Sequence, residues 1–179
     1  LMITAAYFDI SKKGVLVTQT IDHPDYESET TQEGEQRHKG FEFAAQGAIT
    51  SQLFVMASVM NLDAKYQVSD KYQGNTPIDA PEWSAALWSR YEVTENLAIN
   101  AGAFYEGERF ADNDNTVSKE AYTRVDIGAT YSMELSDYDF NLRFNIENLF
   151  DADYVIGGGT SNATAADGVS YRLAVQLAF

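Results

Sequence analysis

The last eleven residues, Val169 to Phe179, alternate without interruption. Val169, Tyr171, Leu173, Val175, Leu177 and Phe179 share one face, and Ser170, Arg172, Ala174, Gln176 and Ala178 share the other. Successive side chains of a strand point to opposite sides of the sheet, so this run has one apolar face and one small or polar face. A strand crossing a bilayer needs about 9–11 residues, apolar toward lipid and polar toward a lumen. The same rhythm places Phe140, Leu142, Phe144 and Ile146 opposite Asn141, Arg143, Asn145 and Glu147. It also places Val125, Ile127, Ala129, Tyr131 and Met133 opposite Arg124, Asp126, Gly128, Thr130 and Ser132. One such strand is a hint, and a series of them predicts the wall of an antiparallel transmembrane β-barrel.

Composition agrees with a membrane setting. Tyrosine and phenylalanine number 11 and 10, against 12 lysines and arginines together, so ring-bearing residues outnumber solubilising cations. Barrels use such rings as girdles at the two membrane interfaces, and Trp83, Trp88, Tyr91, Tyr122, Tyr131 and Tyr171 are read as girdle residues. No apolar run is long enough for a transmembrane helix. The chain has no cysteine and only His23 and His38 as histidines, so neither a thiolate nor a two-histidine metal site is expected, and no cofactor. A net charge of −15 argues against nucleic acid and against docking on anionic lipid through a basic patch. Much of the acid falls in expected loops, where it keeps them solvated. The Asp112-Asn113-Asp114-Asn115 run has oxygens suited to a divalent cation, but its spacing matches no full EF-hand loop.

Eight strands are expected, near 2–21, 32–48, 53–68, 82–94, 97–111, 120–134, 139–156 and 168–179. Their connections alternate in length. Short turns fall near 48–52, 94–96 and 135–139, and longer polar loops at 22–31, 69–81, 111–119 and 157–167. Outer-membrane barrels have short periplasmic turns and long extracellular loops, which puts Phe179 at the periplasmic edge. In Leu53–Asn61 both faces are apolar, so periodicity does not say which faces the lumen. Leu149 and Phe150 interrupt the alternation between Asn148 and Asp151, whose side chains are expected to tie off backbone groups at a bulge or bend.

These residues carry a resemblance. Gly34-Glu-Gln-Arg-His-Lys-Gly-Phe-Glu-Phe43, Ala80-Pro-Glu-Trp-Ser-Ala-Ala-Leu-Trp-Ser-Arg-Tyr91, and Tyr105-Glu-Gly-Glu-Arg109 with Asn113 and Asn115 occur in that order. Tyr122-Thr-Arg-Val-Asp-Ile-Gly-Ala-Thr-Tyr131 and Phe144-Asn-Ile-Glu-Asn-Leu-Phe-Asp-Ala-Asp-Tyr154 follow. Together they resemble the C-terminal barrel of TonB-dependent outer-membrane receptors of the ferric-siderophore type. The resemblance implies residues 1–179 as part of a 22-stranded barrel closed by a plug. It implies import of a ferric siderophore or similar small cargo. The implied partners are the TonB–ExbB–ExbD complex, the receptor's own plug, outer-membrane lipid and the barrel-assembly machinery. The plug, the N-terminal strands, the TonB-contacting segment and a signal sequence are not found, and a longer parent chain is expected. The family's Pro-Arg pair before the last strand is not matched; only Arg172 corresponds.

Ligand contact, if this segment makes any, is expected from Tyr72, Gln73, Tyr105, Arg109 and Arg172, which can stack on or donate to an anionic chelate. The acidic loops favour a neutral or cationic cargo. No catalytic motif occurs, so no enzyme is expected. The competing reading is a self-contained eight-stranded barrel with a structural or adhesive role. Closure discriminates the two: such a barrel pairs its first strand with its last and fills its interior with side chains. The expected inward set, with Ala98, Gly102, Gly128, Ala174 and Ala178, suits a wide lumen better.

Overall fold

The computed structural model describes residues 1–23, 25–136 and 138–178, so the expectation for Phe179 lies outside the described residues. One antiparallel sheet dominates. Its strands are β1 (Met2–His23), β2 (Tyr26–Ala48), β3 (Leu53–Val68), β4 (Trp83–Glu92), β5 (Leu97–Glu106), β8 (Tyr122–Leu135), β9 (Tyr138–Glu147) and β12 (Ser170–Ala178). They lie side by side in chain order. Two small hairpins stand apart from it: β6 (Arg109–Phe110) with β7 (Ser118–Lys119), and β10 (Val155–Gly157) with β11 (Thr164–Ala165). Among the described residues β1 and β12 are the two edges and do not pair, so the sheet is an open arc.

Register turns the alternation of each strand into continuous ranks. Tyr171, Leu173, Val175 and Leu177 of β12 stand opposite Ile146, Phe144, Leu142 and Phe140 of β9. Those stand opposite Ile127, Ala129, Tyr131 and Met133 of β8. The rank continues through Ile99 and Tyr91 to Leu53, and through Leu87 and Ala57 to Ala45 and Ile3. A one-residue slip would send every one of these to the other face, which is why a wall with one lipid-facing side specifies register strongly. Leu173 and Val175 remain 64% and 63% exposed, far more than a water-soluble core tolerates and as expected of groups facing hydrocarbon.

The same registers resolve what periodicity left open in β3. Leu53, Val55, Ala57 and Val59 join the apolar outer face, while Phe54, Met56, Ser58 and Met60 face inward. They also correct the assignment of two girdle residues. Trp88 is registered with Gly102 and Met56 on the inner face, where it packs edge-on to Phe54 at 6.4 Å. Tyr122 shares the inner face with Arg124 and donates to Glu106 at 2.7 Å. Trp83, Tyr91, Tyr131 and Tyr171 lie on the outer face, as a girdle requires.

Three strand boundaries differ from expectation. The loop expected at 22–31 is mostly strand, because β1 and β2 continue to His23 and from Tyr26. β-Branched threonines support the extension, with Thr18 and Thr30 hydroxyls 3.0 Å apart across the strands. At 22 and 23 residues, these strands exceed a membrane crossing by about 12 residues, a projection of roughly 40 Å. The strand expected over 97–111 leaves the wall at Glu106, and Arg109–Phe110 turns into the β6–β7 hairpin. The strand expected over 139–156 stops at Glu147, and the loop expected at 157–167 contains the turn that joins β10 to β11. Two of the short turns share one chemistry. Thr50 Oγ1 accepts from the Gln52 and Leu53 amides at 3.2 and 3.0 Å, and Thr94 Oγ1 accepts from Asn96 and Leu97 at the same distances.

Candidate functional site at the outer mouth

Three long connections gather at the end of the sheet opposite these turns: 69–82, 107–121 and 148–169. They are joined by a buried ionic hub. Arg109, only 2% exposed, sets Nε 3.3 Å from Asp79 and 3.5 Å from Glu106, and donates through Nη2 to the Val155 carbonyl. Lys119, 6% exposed, donates to Asp79 and to the Gly158 carbonyl. Tyr122 lies beneath the Arg109 guanidinium, 5.5 Å from centroid to Cζ, and stacks on Tyr154 at 3.9 Å and 12°. Two cations and two carboxylates therefore neutralise one another where a lone buried charge would be costly. Each of the three connections supplies at least one member.

A second set of bonds fastens 107–121 to 69–82. Asn115 exchanges two 2.8 Å bonds with the backbone of Thr76, Asn75 donates to the Asn113 carbonyl at 2.8 Å, and Tyr66 donates to Asn113 Oδ1 at 3.1 Å. Asp112 is occupied within its own loop. Its carboxylate accepts from the Thr116 and Val117 amides at 2.9 and 3.0 Å and from the Thr116 hydroxyl. Those bonds, that of Thr116 first, hold its pKa below the usual carboxylate value. Asp114 pairs with Lys71 at 3.2 Å, which raises the Lys71 pKa. The oxygens suggested as cation ligands are thus engaged with protein donors, and no group of three or more His, Cys, Asp or Glu placed to hold a metal ion occurs among the described residues.

The Asn148–Asp151 interruption is a clasp. Asn148 and Asp151 adopt φ of 53° and 52°, the left-handed conformation that asparagine and aspartate tolerate best among non-glycine residues. Asn148, 2% exposed, exchanges bonds of 2.9 and 3.0 Å with Ala152 and donates to the Asp167 carbonyl at 3.3 Å. Its amide donates to Asp126 at 2.9 Å, and Asp151 accepts from the Val169 amide at 2.9 Å. The motif ends β9, carries the chain out to the mouth and ties the return just before β12.

The five sequence-selected residues do not form one cluster. Tyr72 lies in the 69–82 connection against Tyr66 at 5.8 Å, with Lys71 over its ring, and Gln73 beside it is exposed. Arg172 is on the inner face of β12, 3.3 Å from Glu147 and 69% exposed. Arg109 is enclosed in the hub. Tyr105 is registered with Ala85 and Thr123 on the outer, lipid-facing side. Sequence reasoning missed Asp79, Lys119 and Tyr154, which complete the hub. No sequence pattern singles them out, because Asp79 and Lys119 lie 40 residues apart and meet only when the connections fold over one another. A hollow of about 640 Å³ opens between the two small hairpins, lined in part by Ala111, Val117, Lys119, Tyr154, Val155 and Ala163.

An open antiparallel arc with a lipid-facing apolar side, an inner side on which charged pairs lie alongside Phe54, Met56 and Trp88, and loops tied together at one end defines a segment of outer-membrane β-barrel. The chain belongs to the TonB-dependent receptors: the family model described as TonB dependent receptor-like, beta-barrel matches residues 1–149. The probable TonB-dependent siderophore receptor PiuA of Acinetobacter baumannii is 31% identical, over 100% of this chain and 25% of its own length. The ferrichrome outer membrane transporter/phage receptor of Escherichia coli K12 is 28% identical over 87% of this chain and 21% of its own. The crystal structure of PiuA superposes with a TM-score of 0.82, covering 97% of this chain and 25% of that one, at 32% identity. The BauA receptor of Acinetobacter baumannii has the same fold, with a TM-score of 0.83 at 23% identity over 97% of this chain and 26% of that one. The chain therefore spans between a fifth and a quarter of the length of these two curated relatives.

Proposed function

We propose that this chain forms the C-terminal part of the barrel wall of a receptor that imports ferric siderophores, energised from the inner membrane through the TonB–ExbB–ExbD complex. The carrying observation is the open arc: eight strands in chain order whose two edges do not pair with each other among the described residues, where a closed eight-stranded barrel must pair its first strand with its last. The small closed barrel is not favoured. The names of the relatives, a siderophore receptor and a ferrichrome transporter, support the cargo class.

Within this reading the mouth has two kinds of residue. Tyr72, Gln73 and Arg172 are the ligand-contact set, on a loop and on the inner wall. Arg109 acts as a positioning residue, holding the three connections in one arrangement. Tyr105 serves as a membrane anchor. The plug of the same receptor and the barrel-assembly machinery are its remaining partners.

The test is radioiron uptake by cells that lack their own receptors and carry the full-length receptor, offered a panel of ferric hydroxamates and ferric catecholates with and without a functional TonB. TonB-dependent uptake of at least one chelate supports the proposal. Uptake unchanged by loss of TonB, or absent for every chelate despite normal surface expression, contradicts it. Arg172→Ala and Tyr72→Ala are expected to raise the half-saturating chelate concentration several-fold at unchanged expression.

A further inference from the structure

The hollow between the two small hairpins is walled chiefly by small side chains. Five alanines line it, Ala111, Ala121, Ala163, Ala165 and Ala166, together with Val117. Its volume of about 640 Å³ falls within the roughly 300–1,000 Å³ of small-molecule pockets. Val117 remains 45% exposed, an apolar side chain left uncovered in an otherwise polar loop. The hub keeps the hollow open without a filler. Arg109 of β6 holds the Val155 carbonyl and Lys119 of β7 holds the Gly158 carbonyl, so two cations of the first hairpin grip the second. Gly159 permits the approach, since a Cβ there would come to 3.2 Å from the Ala111 carbonyl oxygen.

The hub has donors to spare. Arg109 Nη1 is buried without an acceptor among the described residues. Lys119 gives two of the three N–H bonds of its ammonium to Asp79 and the Gly158 carbonyl, and the third has no acceptor among the described residues. Of the two cations, Lys119 is the one that lines the hollow. A buried donor left unmet is costly, so an acceptor placed in the hollow beside Lys119 is favoured. Charge decides what kind. Asp79 and Glu106 already balance Arg109 and Lys119, and Glu120 and Asp153 add two exposed carboxylates to the lining. A further anion meets net repulsion there, and a neutral carbonyl does not.

We propose that the hollow takes an unbranched acyl chain joined through an amide to the ferric chelate, the chain against the alanine walls and the amide carbonyl accepting the third N–H of Lys119. The one ring in the lining, Tyr154, is already stacked on Tyr122, so the walls suit an aliphatic chain better than a stacked aromatic group. Each methylene buried there is worth roughly a fourfold gain in affinity. The hairpins thus select cargo by its tail, separately from Tyr72, Gln73 and Arg172, which meet the chelate itself. That the chain belongs to a cargo rests on the import reading above; the preference of the hollow for a neutral acyl amide does not.

The test uses the purified full-length receptor in amphipol, with tritiated N-methyldecanamide, N-methylhexanamide and decanoate as probes. Equilibrium dialysis gives the dissociation constant of each above an amphipol blank. The decanamide is expected to saturate at one per receptor and to bind at least tenfold more tightly than the hexanamide or decanoate. Ala163→Trp, which fills the hollow, should weaken decanamide binding at least tenfold. Lys119→Met should weaken it at least fivefold with the chain-length preference retained. Asp70→Trp, at an exposed position outside the hollow, should bind as wild type. Heat-modifiable migration shows that each variant is folded. Unsaturable binding, equal affinity for decanamide and decanoate, binding unchanged by Ala163→Trp, or equal loss from Asp70→Trp overturns the proposal. Uptake then separates site from cargo. Of two ferric chelates that differ only in an acetyl or a decanoyl amide, the decanoyl form should enter at an at least fivefold lower half-saturating concentration, and Ala163→Trp should remove the difference. Uptake of both without preference overturns the proposal. Uptake of neither, with decanamide binding intact, contradicts the import reading instead.

Discussion

Asn148 shows how much one side chain can carry in a wall that has no conventional core. It satisfies both backbone groups of a turn that has left the ladder, and it adopts a backbone conformation that most residues resist. Asn148→Ala is expected to cost roughly 2–4 kcal/mol, from a buried carbonyl left without its donor and from left-handed strain. Urea unfolding of the full-length barrel from lipid vesicles measures it, and a loss below about 0.5 kcal/mol would contradict the clasp. The sequence exposed this residue because it broke an otherwise regular alternation. It did not expose Asp79 or Lys119, whose partners lie 40 positions away and become neighbours only when the loops fold over one another. Asp112 gives a pH test. Its folded pKa lies below the ordinary 3.8, so its contribution is complete above that value and is lost as pH falls through the lowered one. Pepsin nicking within 111–117 should therefore rise in the wild type as pH falls below 3.8, whereas Asp112→Asn should be susceptible throughout the acid range. Wild-type nicking that does not change with pH would refute this role.

At the scale of strands, the alternation was legible wherever one face was apolar and the other was not: β12 and β8 fell where it put them, and β9 did so as far as Glu147, where the expected strand ran on to 156. It failed in β3, where Phe54, Met56 and Met60 make the inner face apolar too, and only cross-strand register decides the sides. It also misassigned Trp88, because residue type suggested a girdle while parity places the ring in the lumen. Spin labels test the sides directly, the chain being free of native cysteine. A label at Leu173→Cys should collide freely with oxygen dissolved in the membrane, and one at Ala174→Cys should not; equal oxygen contact would reverse or abolish the assignment. Close strand contact is tested at Gly40, where a Cβ would come 2.0 Å from the Asn61 carbonyl oxygen and 2.9 Å from the Phe8 ring. Gly40→Ala should part β2 from β3 locally and cut outer-membrane levels several-fold. Gly157→Ala, with open space around it, should assemble normally. Equal levels of the two variants would contradict the packing described.

For the molecule as a whole, fold class was more legible than site, and for a physical reason. A lipid-facing wall repeats one rule over every strand, so errors at single positions average out. The mouth is built from irregular connections, each bonded to a different partner by one or two side chains, and no repeat announces it. Arg109 illustrates the difference: an arginine beyond a strand end reads as a ligand contact, yet it is enclosed by Asp79, Glu106 and the Val155 carbonyl. The unpaired edges of β1 and β12 make the arc part of something larger, and that is the claim on which transport, plug and energy coupling all rest. The intact mass of the native protein in outer membranes, detected with an antibody to the 106–120 segment, tests it most directly. A species four to five times heavier than 19.9 kDa, in keeping with the 21–25% of its relatives that the chain spans, is the expected result. A native species near 19.9 kDa would contradict the account and return the chain to a small barrel closed by its own edges.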